Sequence, residues 1–155
     1  MAANSKSERL VQNVVTTLEE LGGGNLFKKV ERIKLGFEDL MSSKIPTTLL
    51  PYAAVTCGLP DATPKISGRT RAIVDKFQSV LTIELTVYGM DNENPDVTIL
   101  SVADDMWAGL YNDPGRGGLA LATRIIPEVE TGIFDPYYAF NMDVEVVFVH
   151  SRSSI

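Results

Sequence analysis

The residue types that carry most enzyme chemistry are scarce in this chain of 155 residues: there is one histidine, His150, and one cysteine, Cys57. A single histidine excludes two-histidine metal sites, and a single cysteine excludes an internal disulfide and a thiolate zinc site. Cys57 stands near the end of a small-residue strand, with no histidine close in sequence to activate a thiolate, and reads as a packing residue. His150 ends the last strand on the face of Phe148 and reads as structural. Asp104 and Asp105 adjoin, but neighbours on a helix diverge by about 100°, so they form a solvated face and not an acid–base pair. Gly22-Gly23-Gly24 follows a helix and leads to no Gly-Lys-Ser/Thr, the wrong order for a phosphate cradle. Gly115, Gly117 and Gly118 precede a strand, which offers no helix N-terminus to an anion. The expectation is no catalytic residue, no metal and no cofactor, and therefore no enzyme.

The elements that position these residues follow from periodicity. Ser5-Lys6-Ser7-Glu8 fits a capping box, and Leu10, Val11, Val14, Val15, Leu18 and Leu21 recur at helical spacing, which predicts a helix over 6–21 ended by the triple glycine. Phe27, Val30 and Ile33 among Lys28, Lys29, Arg32 and Lys34 predict a short basic strand over 27–35, suited to a sheet edge. A helical turn is expected at 37–41, then a small-residue strand over 52–57. Leu81, Ile83, Leu85 and Val87 alternate with Thr82, Glu84 and Thr86, within a long strand expected over 73–88. Asn94-Pro95-Asp96 starts a helix over 95–111, with Asn94 as its cap and Trp107 in the core. A glycine turn separates it from a strand over 119–129. The last strand, 137–150, is apolar on both sides in its second half, with Val147 and Val149 opposite Phe148, as in an interior or partner-covered strand.

Hydrophobic residues make up 45% and charged residues 22% of the chain, ordinary globular usage that argues against wholesale disorder. The length suits one domain, 1–155, with no internal repeat or dividing linker. No apolar run reaches the roughly 18 residues of a membrane span and no secretory h-region opens the chain, so a soluble protein of a reducing compartment, without membrane contact, is expected. The net charge of −6 argues against a dedicated nucleic-acid binder. Charge is uneven: residues 1–76 hold 11 basic and 8 acidic side chains, and residues 77–155 hold 3 and 12. Such asymmetry marks surfaces that meet a partner, including copies of the same chain head to tail. Residues 58–71, rich in glycine and proline, carry Lys65, Arg69 and Arg71 in a connection too long to be an ordinary turn.

The order helix, basic strand, small-residue strand, basic loop, long strand, acidic helix, glycine turn and two strands resembles the tail terminator proteins of long-tailed bacteriophages, and more loosely the related tail-completion and minor tail proteins. The likeness is carried by the opening helix 10–21, by Leu50-Pro51-Tyr52-Ala53-Ala54-Val55, by the strand 81–88, and above all by the helix 97–111. That helix runs into Asn112-Asp113-Pro114-Gly115-Arg116-Gly117-Gly118-Leu119-Ala120, with Arg116 in the place of the leucine of the family's Leu-Gly-Gly turn.

The resemblance implies an α+β domain, two main helices on a mainly antiparallel sheet. It further implies a homo-oligomeric ring, usually a hexamer, that caps the head-proximal end of the tail tube, stops tube polymerisation and joins the tail to the neck. Its partners would be further copies of itself, the tail tube protein and a neck or head-completion protein. Its location would be the virion, at the head–tail interface, and the host cytoplasm during assembly. DNA would pass through an acidic lumen without specific binding, since binding draws on phosphate neutralisation by cations. Lys65, Arg69, Arg71 and Arg116 are the expected interface residues. Two alternatives stand beside this reading: a neck or head-completion component, and, from another class, a small ligand-binding or hydrolytic α+β domain.

Overall fold

The computed structural model describes residues 5–42, 44–64, 76–126, 131–134 and 136–151. Helix α1 spans Lys6–Gly24, and its N-cap is the expected one, the Glu8 amide donating to Ser5 Oγ at 3.1 Å. The Glu8 carboxylate, which a capping box would turn back on the chain, pairs instead with Arg32. The backbone leaves helical angles at Leu21, and Gly22 and Gly23 take φ of +62° and +69°, which a side chain would make strained. The basic segment condenses to a three-residue strand, β1 (Lys29–Glu31), followed by the one-turn helix α2 (Phe37–Met41) and the small-residue strand β2 (Tyr52–Cys57).

Strand β3 (Asp61–Pro64) lies inside the long connection expected over 58–71: its turn-forming residues pair with Phe77–Val80, at an edge where proline is tolerated. Strand β4 (Lys76–Met90) and helix α3 (Pro95–Tyr111) follow. The glycine turn reaches further than expected, so the next strand shortens to β5 (Ala122–Ile126), and β6 (Thr131–Phe134) is a strand that periodicity did not reveal. The last strand, β7, is Tyr137–Ser151.

Among the described residues these strands form one seven-stranded sheet in the order β1-β2-β4-β7-β5, with β3 also on β4 and β6 also on β7. Its axis is the antiparallel pair of fifteen-residue strands β4 and β7, in register from Lys76↔Ser151 to Met90↔Tyr137. Each long strand carries two short strands end to end on its outer side, and the β1–β2 pairing alone is parallel. The expected α+β domain with a mainly antiparallel sheet is the fold observed.

Strand alternation sends Leu81, Ile83, Leu85 and Val87 to the same face as Phe140, Met142, Val144, Val146 and Phe148, and all nine are buried. Helix α1 covers this face over β1 and β2, and α3 covers it over β7 and β5. A second apolar cluster on the opposite face joins Leu40, Ile45 and Leu50 to Tyr52, Tyr88 and Ala139, so the segment containing α2 covers one end of that face. There the Tyr88 hydroxyl donates to the Gly36 carbonyl at 3.1 Å, and burial pushes both tyrosine hydroxyls, Tyr52 and Tyr88, well above the usual phenol range.

Candidate functional site

Past α2 the outer face of the sheet is only partly covered by the described residues, with Glu84 exposed and Thr82, Asp143 and Glu145 partly so. Across its middle the register sets Thr56, Glu84, Asp143 and Ile126 in one row, and Thr82, Glu145 and Arg124 in the next. Glu84 and Asp143 are thus direct cross-strand neighbours of like charge, an arrangement that costs stability. Burial raises the Asp143 pKa from its ordinary 3.8, and the carboxylates of Glu84 and Glu145 add to the rise. Glu145 is partly neutralised by Arg124, at 3.1 Å. Below this acidic centre the face turns apolar, with Val80 opposite Val147 and Val149 one pair further on, all partly exposed. The valines left over by the two-sided apolar pattern therefore lie on the face opposite α1 and α3, in a strand that is interior to the sheet. A notch of about 270 Å³ opens beside this centre, between Ile33–Glu38 and the neighbouring pairs Thr56–Glu84 and Thr86–Asn141. It lies below the roughly 300–1,000 Å³ of a drug-sized ligand pocket.

The interface residues expected from sequence fare differently. Lys65, Arg69 and Arg71 lie outside the described residues. Arg116 lies inside the protein with no exposed surface, so it presents no charge to a partner as the chain stands. Its Nε donates to the Asp113 carbonyl at 2.7 Å and its Nη2 to the Leu110 carbonyl, while Nη1 is buried without a hydrogen-bond partner among the described residues. The last carbonyls of a helix need donors, and α3 has no basic residue in its last turn. Arg116, at φ +47°, folds back from the glycine turn to supply one, to the Leu110 carbonyl. Desolvation lowers its pKa, and the nearby Asp113 opposes that shift.

Two other expectations change in the same region. Trp107, expected in the core, is 40% exposed on the outward side of α3, its ring 5.6 Å from that of Tyr111. The expected cap Asn94 makes no side-chain capping bond. Asp91 accepts from the amides of Glu93 and Asn94 at 2.9 and 3.0 Å and from the Thr98 hydroxyl, and these bonds hold its carboxyl below the usual range.

A pair that sequence reasoning missed is Ser79 and His150, 71 residues apart and brought together by the β4–β7 register. The Ser79 hydroxyl lies 2.6 Å from His150 Nε2, and Nδ1 lies 2.8 Å from the Ser151 carbonyl. A carbonyl only accepts, so Nδ1 donates to it, which leaves Nε2 as the ring nitrogen that faces the serine hydroxyl. Serine, imidazole and an orienting acceptor are the parts of an activated nucleophile. Here Ser79 has no exposed surface, and the ring is packed between Phe77 and Phe148 at centroid distances of 5.7 and 5.3 Å. A substrate carbonyl has no approach to that hydroxyl, and the pair serves as a satisfied polar contact in the core. Cys57 is half-buried, and burial raises its thiol pKa, which works against nucleophilic use. No group of three or more metal-ligating side chains occurs among the described residues, and no helix there is long and apolar enough to cross a membrane.

No protein-family model and no curated protein matches the chain. Among solved structures it is similar to a chain from the virion of a native gene transfer agent (GTA) particle, at 8% identity and a TM-score of 0.40, over 97% of this chain and 98% of that one.

Proposed function

We propose that this chain is a structural protein of a phage tail that closes into a ring at the head-proximal end of the tail tube, stops its growth and joins it to the neck. The observation that carries the reading is the partly covered outer face of the sheet. Outside the part under α2, the described residues leave Glu84 exposed and Asp143, Glu145, Val80, Val147 and Val149 partly exposed on this face, an acidic centre beside an apolar patch. In a ring the acidic part suits a lumen through which DNA slides, because its carboxylates outnumber its one cation, Arg124, which is paired with Glu145. The apolar part suits contact with a protein, and the neighbouring tube is one such surface. The likeness in element order to tail terminators supports the same assignment. Lys65, Arg69 and Arg71 are proposed as contacts to the tube.

Electron microscopy of particles assembled without this protein tests the proposal. Tubes that grow past their normal end and fail to join heads are the expected result. Tubes of normal length joined to filled heads would overturn it.

A further inference from the structure

Helix α3 is more apolar than its packing requires. Ile99, Val102, Met106 and Leu110 are buried against the sheet, yet Val97 and Leu100 are 59% and 67% exposed on the other side, with Trp107 beside them. A helix apolar on both sides is ordinarily a buried helix. At 3.6 residues per turn, positions 97, 100, 104, 107 and 111 fall within a sector of about 80°, so the exposed apolar residues form one stripe. Asp104 lies in that stripe, Asp96 and Asp105 flank it, and the helix contains no lysine or arginine.

The opposite flank of the molecule has the complementary chemistry. Strand β1 ends the strand order, with β2 as its neighbour on one side. Lys28, Lys29 and Lys34 are exposed there against one exposed acid, Glu31, which accepts from the Tyr52 hydroxyl, and Ile33 is an exposed apolar residue among them. Because α1 packs over β1 and β2 while α3 packs over β7 and β5, the two surfaces stand at opposite ends of the sheet.

We infer that the exposed stripe of α3 docks on the basic β1 edge of a second copy of this chain, head to tail; this rests on the ring reading above and names its subunit contact. Trp107, Leu100 and Val97 supply the apolar centre, against Ile33 and the lysine stems, and the aspartates meet the ammonium groups at the rim. The alternative, α3 against α3 about a two-fold axis, would bring Asp96, Asp104 and Asp105 of both copies together, and like charges oppose that pairing. Head-to-tail contact uses unlike patches on each copy, which is the arrangement that closes into rings.

Sedimentation of purified full-length protein tests this. The wild type is expected to self-associate as its concentration rises. Leu100→Asp, with circular dichroism confirming the fold, should weaken association about tenfold or more, as for the centre of an interface. Lys29→Glu with Lys34→Glu should do the same from the other side, as should Asp104→Lys with Asp105→Lys, and combining all four changes should restore association. Mixing Leu100→Asp with the Lys29→Glu, Lys34→Glu variant should give a one-to-one complex that grows no further, since one good contact remains between them. A wild type that assembles while these variants assemble equally well overturns the contact and leaves the ring standing. A wild type that stays monomeric at every concentration overturns both.

Discussion

Glu84 lies directly opposite Asp143 across the β4–β7 pair, two carboxylates side by side on the sheet face opposite α1 and α3. Burial of Asp143, with the carboxylates of Glu84 and Glu145 adding to it, gives a pH dependence opposite to that of a salt-bridged carboxylate. An acid whose folded pKa lies above its unfolded value binds protons more readily in the folded chain, so its contribution to stability falls as pH rises through that interval. For Asp143 the interval begins near its ordinary 3.8 and extends to the raised folded value. Asp143→Asn should therefore stabilise the protein near neutral pH by about 0.2–1 kcal/mol, the scale of a cross-strand pair, and the gain should vanish below about pH 3.8. Thermal melts of both proteins across that range check it; an Asn variant less stable at neutral pH would show that the carboxylate is favourable there.

Arg116 should behave as a structural residue. Arg116→Leu restores the leucine of the resembled turn but removes the side-chain donors to the Leu110 and Asp113 carbonyls. The Asp113 carbonyl keeps the backbone amide of residue 116, at 3.1 Å, but the Leu110 carbonyl loses its side-chain donor, which should cost about 1–3 kcal/mol, read as a lower denaturant midpoint. An unchanged midpoint would mean that the end of α3 finds other donors.

Tyr138 packs over bare backbone at Gly89, its register partner: a Cβ built on Gly89 would overlap the phenol ring. Both residues are buried, so the ring has little room to yield. Gly89→Ala should destabilise by about 1–3 kcal/mol through overpacking, and by less in a Tyr138→Leu background, where the ring is gone. Equal losses in the two backgrounds would remove this contact as the cause.

Much of this architecture is legible in the residues because apolar spacing reports directly on a buried face. Helices α1 and α3 and strands β2, β4 and β7 stand within a few residues of where periodicity places them. Short edge strands are different: β3 and β6 exist because β4 and β7 extend far enough to pair with them, and four residues carry no period of their own. Pairing also decides what meets what. Glu84 and Asp143, or Ser79 and His150, are distant in sequence and become neighbours through one register. Arg116 misleads because an arginine among glycines looks exposed; the signal that points inward is a helix whose last turn has no basic residue. Trp107 misleads because α3 is apolar on both sides, so hydrophobicity does not say which side faces the sheet.

Cys57→Ser should leave fold and assembly intact. The thiol is half-buried and its pKa is raised chiefly by burial, so it has little thiolate at neutral pH. Alkylation of the wild-type protein should accordingly be slower than that of a free cysteine. Rapid alkylation, or loss of assembly in a serine variant of unchanged stability, would give the thiol a role that its surroundings do not suggest.

The proposed lumen can be inverted without adding a new kind of strain. Glu84→Lys with Asp143→Lys replaces one like-charged cross-strand pair by another, so the repulsion is of the same order and the fold should persist. The sign of this face changes, from a surface that repels phosphates to one that attracts them. Assembled wild-type protein should show little retention of double-stranded DNA, whereas the lysine variant should retain it at low salt. Retention should fall steeply with added salt, because each phosphate neutralised releases bound counterions. Loss of assembly would show as a changed sedimentation profile, separating a damaged ring from a sticky one. If the variant assembles normally and still fails to hold DNA, Glu84 and Asp143 do not face the path that DNA takes.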